Sequence, residues 1–239
     1  MSRTKLSVNI NKVALIRNAR GESKPDLLQF ARDCESYGAD GITVHPRPDE
    51  RHVRYDDVPA LKDLVRTELN VEGNPTPEFM KLVLDVVPHQ CTLVPDDPGA
   101  LTSDQGWDAR THQDFLSEVI GELHQKGIRV SIFVNDDPSM MEAAAQTGAD
   151  RVELYTGPFA LHYHDDSAAA IESYIRTAER ARELGMEVNA GHDLDLENLN
   201  YLVASIPFIA EVSIGHALIS DALYYGIENT IQMYQQKLK

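Results

Sequence analysis

The chain has 239 residues, 42% of them hydrophobic and 25% charged, with a formal net charge of −16. That hydrophobic content excludes a disordered chain. The acidic balance argues against polyanionic partners, so neither nucleic acid nor an anionic membrane surface is expected. Two cysteines, Cys34 and Cys91, are too few for a disulfide scaffold and lack metal-site spacing; both lie in apolar stretches and are expected as buried thiols in a reducing compartment. No apolar run approaches the roughly 20 residues of a membrane span. Residues 1–5 lead into a strand-like segment without a signal-peptide core, so a cytoplasmic location is expected.

Along the chain a rhythm recurs: an amphipathic stretch, a Gly-containing turn, then a short apolar run. Gly38-Ala39-Asp40-Gly41, Lys126-Gly127-Ile128, Thr147-Gly148-Ala149-Asp150 and Leu184-Gly185-Met186 mark these turns, with glycine supplying a left-handed helix cap. Short runs at 6–10, 41–45, 70–73, 91–95, 129–134, 151–155, 187–190 and 211–214 read as strands, mostly rich in Val, Ile and Leu as in a sheet covered on both faces. Glu72 and Glu153 interrupt two of them. Helical patterns fall at 25–37, 57–69, 77–87, 113–125, 139–146, 167–184, 196–205 and 221–236. Alternation of this kind implies parallel pairing with right-handed crossovers. Eight units in 239 residues fit one closed (β/α)8 barrel domain, residues 1–239, better than an open sheet, and no G-x-G-x-x-G follows the first strand. Two polar stretches, 46–56 and 96–112, are long enough to be loops over a site, and the only tryptophan, Trp107, is either an anchor or part of a lid in the second.

Barrels of this kind build their sites at the C-terminal strand ends. There the sequence puts Asn9, Asn11 and Lys12 after strand one, His45 and Arg47 after strand two, Glu72 on strand three, Glu153 on strand six, Gly191-His192 on strand seven and Gly215-His216 on strand eight. Convergence of histidines and carboxylates points to acid/base chemistry, although a buried glutamate can equally be half of an ion pair. Gly191-His192-Asp193 and Gly215-His216-Ala217 precede helix starts, where backbone N–H groups can hold phosphate. Lys12, Arg17, Arg20, Arg47, Arg51 and Arg54 form a local basic enrichment suited to anions, with Arg51 and Arg54 read as a solvated surface. His52 is a further candidate phosphate donor. A metal-dependent barrel hydrolase using His45, His192 and His216 is one alternative, but no H-E-x-x-H occurs. A non-catalytic phosphate-binding barrel is another.

Val8-Asn9-Ile10, Arg17-Asn18-Ala19-Arg20-Gly21, Gly38 to His45, Arg47, Arg51-His52, Asn70-Val71-Glu72, Leu93-Val94-Pro95, Val188 to His192 and Ile214-Gly215-His216-Ala217 occur in order. Together they resemble the pyridoxine 5′-phosphate synthases. The resemblance implies a barrel with extra helices, assembled as a homo-octamer, that uses no metal or organic cofactor. It implies condensation of 1-deoxy-D-xylulose 5-phosphate with 3-amino-2-oxopropyl phosphate to pyridoxine 5′-phosphate, inorganic phosphate and water. By position, His45, Glu72 and His192 match acid/base residues, and Glu153 matches a stabilising carboxylate. Arg47, His52 and Thr102 match contacts to the ketose phosphate, and Asn9, Arg20, Gly215 and His216 contacts to the amino-ketone phosphate. Asn11 and Lys12 stand where many members have Asp-His, and Asp193 where many have Gly; these three join the substrate-binding set with altered chemistry.

Overall fold

The computed structural model describes residues 3–21, 23–96 and 103–239. Eight parallel strands close into a barrel: β1 (Lys5–Asn9), β2 (Gly41–Val44), β3 (Glu68–Gly73), β4 (Gln90–Leu93), β5 (Arg129–Val134), β6 (Arg151–Tyr155), β7 (Glu187–Gly191) and β8 (Ile209–Ile214). Each strand pairs with the next, and β8 pairs back to β1 through Lys5–Glu211, Leu6–Val212, Ser7–Ser213 and Val8–Ile214. The helices around the barrel are α1 (Asn11–Asn18), α2 (Leu27–Ser36), α3 (Asp57–Leu64), α4 (Pro77–Val86), α5 (Gln113–Gln125), α6 (Met141–Gln146), α7 (Gly157–Glu183), α8 (Leu199–Ser205), α9 (His216–Tyr225) and α10 (Ile227–Lys237). This is the (β/α)8 architecture expected from the alternation, with extra helices.

Local chemistry sets the helix ends. The Asp26 carboxylate accepts from the Leu28 and Gln29 N–H groups at the start of α2. Thr76 caps α4, whose first residue is Pro77, where a missing N–H costs nothing. After α5 the chain leaves through Gly127 (φ 74), and after α7 through Gly185 (φ 87), conformations that a Cβ would strain.

Four boundaries differ from expectation, each for a local reason. The chain after Ile10 is helical rather than a continued polar strand end, because Val13, Ala14 and Arg17 form one buried stripe. The expected helix at 57–69 stops at Leu64, since Glu68-Leu69-Asn70-Val71-Glu72 alternates with period two and joins β3. The helix expected from 167 is the second segment of α7; the non-helical Asp166 (φ −156) breaks the path and caps Ala169 N–H at 3.0 Å. The expected helix at 221–236 is two helices broken at Gly226 (φ 76), and Asp221 is no helix start but accepts from the Tyr234 hydroxyl at 2.8 Å, tying α9 to α10.

The strands are not apolar on both faces. Leu6, Val8, Ile42, Val44, Leu69, Val71, Cys91, Leu93, Val152 and Leu154 are buried in the hydrophobic core. The residues between them are polar and bond one another across the barrel. Ser7 and Thr43 hydroxyls lie 2.7 Å apart, Thr92 donates to Asn70 at 3.0 Å, and Arg151 donates to Gln90 at 2.9 Å. Arg129 pairs with Glu68 across two strands. Glu72 and Glu153 therefore do not interrupt apolar runs; they continue a polar inner face. Among the described residues, Ser131 Oγ, both side-chain polar atoms of Asn189 and Glu211 Oε2 have no hydrogen-bond partner.

Trp107 is the anchor of its loop. It is 6% exposed, its indole N–H donates to Leu93 O at 3.0 Å, and its backbone N–H donates to Phe133 O at 2.8 Å. Gly106 before it is packed so closely on Val134 and Asn135 that a Cβ would meet backbone at 2.4 Å. Trp107→Ala is expected to cost about 3–5 kcal/mol of stability, read by urea unfolding; a loss under about 1 kcal/mol would remove the anchor role.

Burial, with Glu68 nearby, raises the Glu211 carboxyl to about 8. Its folded-state value thus lies above its unfolded one, so the folded chain binds more protons between roughly pH 5 and 8. Its contribution to stability is present below that window and is lost as pH rises through it. Glu211→Gln is expected to flatten the fall of unfolding free energy across this range; an unchanged slope in pH-dependent urea titrations would contradict the assignment.

Candidate active site

The C-terminal ends of all eight strands open on one cavity of about 420 Å³. Its lining includes Asn9 from β1, His45 and Arg47 following β2, Glu72 from β3, Val94 following β4, Phe133 from β5, Glu153 from β6, His192 following β7 and Gly215 following β8. Short inward-facing strand ends thus gather side chains that lie far apart in sequence.

At the cavity floor, Glu72 and Glu153 are buried at 9% and 4% exposure. Burial, then the facing carboxylates of Glu153, Asp96 and Glu211, hold Glu72 well above the usual carboxylate range. Burial raises Glu153 to about 7. The Asn70 amide lies 3.4 Å from Glu72 Oε1. Burial thus favours the protonated form of Glu72.

The histidines move the other way. Burial and the Arg47 guanidinium hold His45 well below the imidazole range, and burial also lowers His192. His52 is pushed down to about 4 by burial and by Arg47 and Arg51. The Val53 N–H donates to His52 Nδ1 at 3.0 Å, so the neutral ring carries its proton on Nε2. His192 packs edge-on to Phe133 and Tyr155, with ring centroids 5.8 and 5.7 Å away. The cavity thus pairs a carboxyl pushed toward its protonated form with imidazoles pushed toward their neutral form, the charge states acid/base exchange requires.

Cationic and N–H donors surround the mouth: Lys12, Arg47, Arg51, His52, Gly215 and His216 all line it, as do Asn9, Asn11 and Asp193. Asn11 also accepts the His45 backbone N–H at 3.0 Å, fixing the end of β2. Gly215 lets β8 pass over Asn9, whose side-chain atoms a Cβ would meet at 3.2–3.4 Å. Two arginines of the expected basic cluster do not line this cavity. Arg17 pairs with Asp57 at 2.7 Å and braces the 46–56 loop through His52 O. Arg20 is exposed beyond the end of α1 and is not among the lining residues. Arg51, read as surface, lines the cavity while bonding Asp49 at 2.7 Å. Thr102 lies outside the described residues.

Sequence reasoning passed over Phe133, Ser103 and Ser213, which line the cavity, and Asp96 behind Arg47. Asp96 was detectable as the first charged residue after strand four. Phe133 carried no signal, because a single aromatic on a strand reads as core. Among the described residues no group of three or more His, Cys, Asp or Glu side chains gathers as a metal ion would require, and no helix is long and apolar enough to cross a membrane.

Comparison with solved structures shows the same architecture at low identity. Thiamine phosphate pyrophosphorylase from Pyrococcus furiosus superposes with a TM-score of 0.65 at 13% identity, covering 98% of this chain and 95% of that one. Phosphoribosylanthranilate isomerase from Thermotoga maritima gives 0.61 at 13%, with 98% of each chain covered. These likenesses show the fold alone. Full-length relatives are far closer in sequence. A pyridoxine 5′-phosphate synthase from Cytophaga hutchinsonii is 61% identical over 99% of both chains, and one from Bacteroides fragilis is 61% identical over 99% of this chain and 100% of its own. The family model described as pyridoxal phosphate biosynthesis protein PdxJ matches residues 6–239. The chain belongs to this PdxJ family, the pyridoxine 5′-phosphate synthases.

Proposed function

We propose that the chain condenses 3-amino-2-oxopropyl phosphate with 1-deoxy-D-xylulose 5-phosphate to give pyridoxine 5′-phosphate, inorganic phosphate and water. The observation that carries this reading is the convergence, in one cavity, of Glu72, His45 and His192 with the anion donors Arg47, Lys12 and His52; burial pushes the Glu72 carboxyl up and the two imidazoles down, toward their neutral forms. Full-length identity to proteins named for this activity supports it.

The reaction needs these charge states. When the amine attacks the ketone, its nitrogen loses a proton and the carbonyl oxygen gains one; loss of water then forms the imine. A neutral imidazole can accept the first proton and a neutral carboxyl can supply the second. Enolisation beside the imine, departure of phosphate and ring closure repeat this exchange on carbon and oxygen. In this reading His45 and Glu72 move protons at the carbonyl carbons, and His192, on the opposite side of the barrel, assists imine formation or ring closure. Glu153, beside it, balances positive charge on the iminium. Arg47 and His52 hold the ketose phosphate, with Thr102 from the segment outside the described residues. Asn9, Gly215 and His216 hold the amino-ketone phosphate, helped by the α9 N-terminus. Lys12 brings a fixed positive charge to a position where many relatives carry histidine, and Asn11 holds the end of β2 through the His45 backbone N–H. Asp193 serves through its backbone N–H. Arg20 keeps its match to an amino-ketone phosphate contact by resemblance alone.

The exposed apolar side chains Leu161, Leu223 and Tyr224 support a homo-oligomer, an octamer by resemblance. One domain, a cytoplasmic location, and no nucleic-acid, membrane, metal or cofactor requirement complete the proposal.

Turnover is tested with both phosphates and a strong chelator, following pyridoxine 5′-phosphate by mass. Product is the expected result. Binding of both phosphates without product would favour a silent barrel, and product only after metal is restored would favour metal-dependent chemistry. Glu72→Gln keeps shape but removes the acid; kcat is expected to fall about 10²–10⁴-fold while cooperative unfolding is retained. Near-normal kcat would take Glu72 out of the proton transfers.

A further inference from the structure

Arg47 and Asp96 form an ion pair at 2.6 Å with side-chain exposures of 5% and 4%. Asp96 does not line the main cavity; it lies behind Arg47, in a recess shared with Pro46, Tyr55 and Asn74. The same oxygen, Oδ2, accepts from Arg47 Nη2 and from the Ser103 hydroxyl. The Asn74 amide donates to the Asp96 backbone carbonyl at 2.8 Å. One residue thus joins the segments that follow β2, β3 and β4.

We infer that Asp96 is a positioning residue that sets the Arg47 guanidinium for the ketose phosphate and couples that setting to the chain at Ser103. This rests on the synthase reading given above for the identity of the ligand. A buried ion pair contributes little net stability unless its geometry is good and further hydrogen bonds complete it. Here Ser103 and Asn74 supply those bonds. A long arginine side chain has many rotamers, but its five donors share one rigid plane. Holding Nη2 from behind fixes that plane, and with it the direction in which the guanidinium meets an anion. Asparagine in place of Asp96 would keep a hydrogen-bond acceptor of the same size and lose the charge that two donors share.

Asp96→Asn is tested by calorimetric binding of 1-deoxy-D-xylulose 5-phosphate and by steady-state kinetics. Ketose-phosphate affinity is expected to fall about ten- to hundredfold, the scale of misplacing a reacting or binding group. KM for the amino-ketone phosphate should stay within about twofold. In an Arg47→Ala background the same change should add less than about twofold, because the two side chains act as one unit. If Asp96→Asn does not fold, Ser103→Ala leaves the ion pair in place and is expected to weaken ketose-phosphate binding about fivefold, the worth of one hydrogen bond. Unchanged ketose-phosphate affinity in the folded variants would overturn the inference. So would equal weakening toward both ligands, or full additivity with Arg47→Ala. Tight binding by the unmodified chain without product would instead defeat the synthase reading and leave the binding comparison valid.

Discussion

Everything in this molecule depends on a polar barrel interior. Strand side chains alternate by geometry, so the face turned from the surrounding helices must be filled by every second residue. Here those residues are Ser7, Thr43, Asn70, Thr92, Glu153, Glu211 and their neighbours, not the branched aliphatics that usually fill such barrels. Buried polar groups need partners. Ser7–Thr43, Asn70–Thr92 and the Arg129–Glu68 and Arg151–Gln90 pairs provide them around the ring. Where burial outweighs the nearby arginines, as at Glu72 and Glu211, the carboxyl is pushed toward its protonated form. The apolar faces lie outside, against the helices, so the hydrophobic core forms a sleeve around a polar column.

The same constraint generates the reactive groups. Glu72 and Glu153 stand in one site with Glu211 below, and burial with mutual repulsion pushes Glu72 toward its protonated form. His45, surrounded by Arg47, Arg51 and its fellow histidines, is refused a proton for the mirror-image reason. Burial thus pushes an acid and a base of one site toward their working forms in opposite directions. The charge of −16 describes the surface, and the mouth of the cavity contradicts it locally through Lys12, Arg47 and Arg51. An anionic substrate responds to this near field inside a low-dielectric cleft rather than to the net charge.

Much of this was legible in the sequence because it is local. Turn glycines and alternating helical and apolar runs gave the barrel, since each signal is a property of a few adjacent residues. The residues at strand ends followed from the fold's habit of building sites there; His45, Glu72, Glu153, His192 and Gly215 do meet in one cavity. What escaped were features that depend on pairs distant in the chain. Arg17 reads as an anion contact in a basic stretch, but its partner Asp57 lies forty residues on. The inward polar face is hard to see because strands with Val, Ile and Leu at alternate positions look apolar unless the period is counted. Asp96 was passed over because its importance lies in Arg47 and Ser103, neither of which is its sequence neighbour.

The turn at His192 shows how such a site is held open. His192 and Asp193 both have left-handed backbone, with φ of 78 and 52. Non-glycine residues there cost of order 1–3 kcal/mol each and persist only where neighbours over-determine them. The Thr156 hydroxyl lies 2.6 Å from Gly191 O and beside His192 O, its backbone N–H donates to Gly191 O at 2.9 Å, and the Asn198 amide donates to Asp193 O at 3.1 Å. A Cβ at Gly191 would lie 2.3 Å from Glu153 Oε1, so any side chain there would displace that carboxyl. The absence of that one carbon lets β7 pass directly against a buried carboxyl, and the strained turn that follows brings the imidazole to the cavity between Phe133 and Tyr155. Glu153 and His192 are thus positioned by a single backbone path. Its strain is balanced by Thr156 and Asn198, side chains that do not line the cavity.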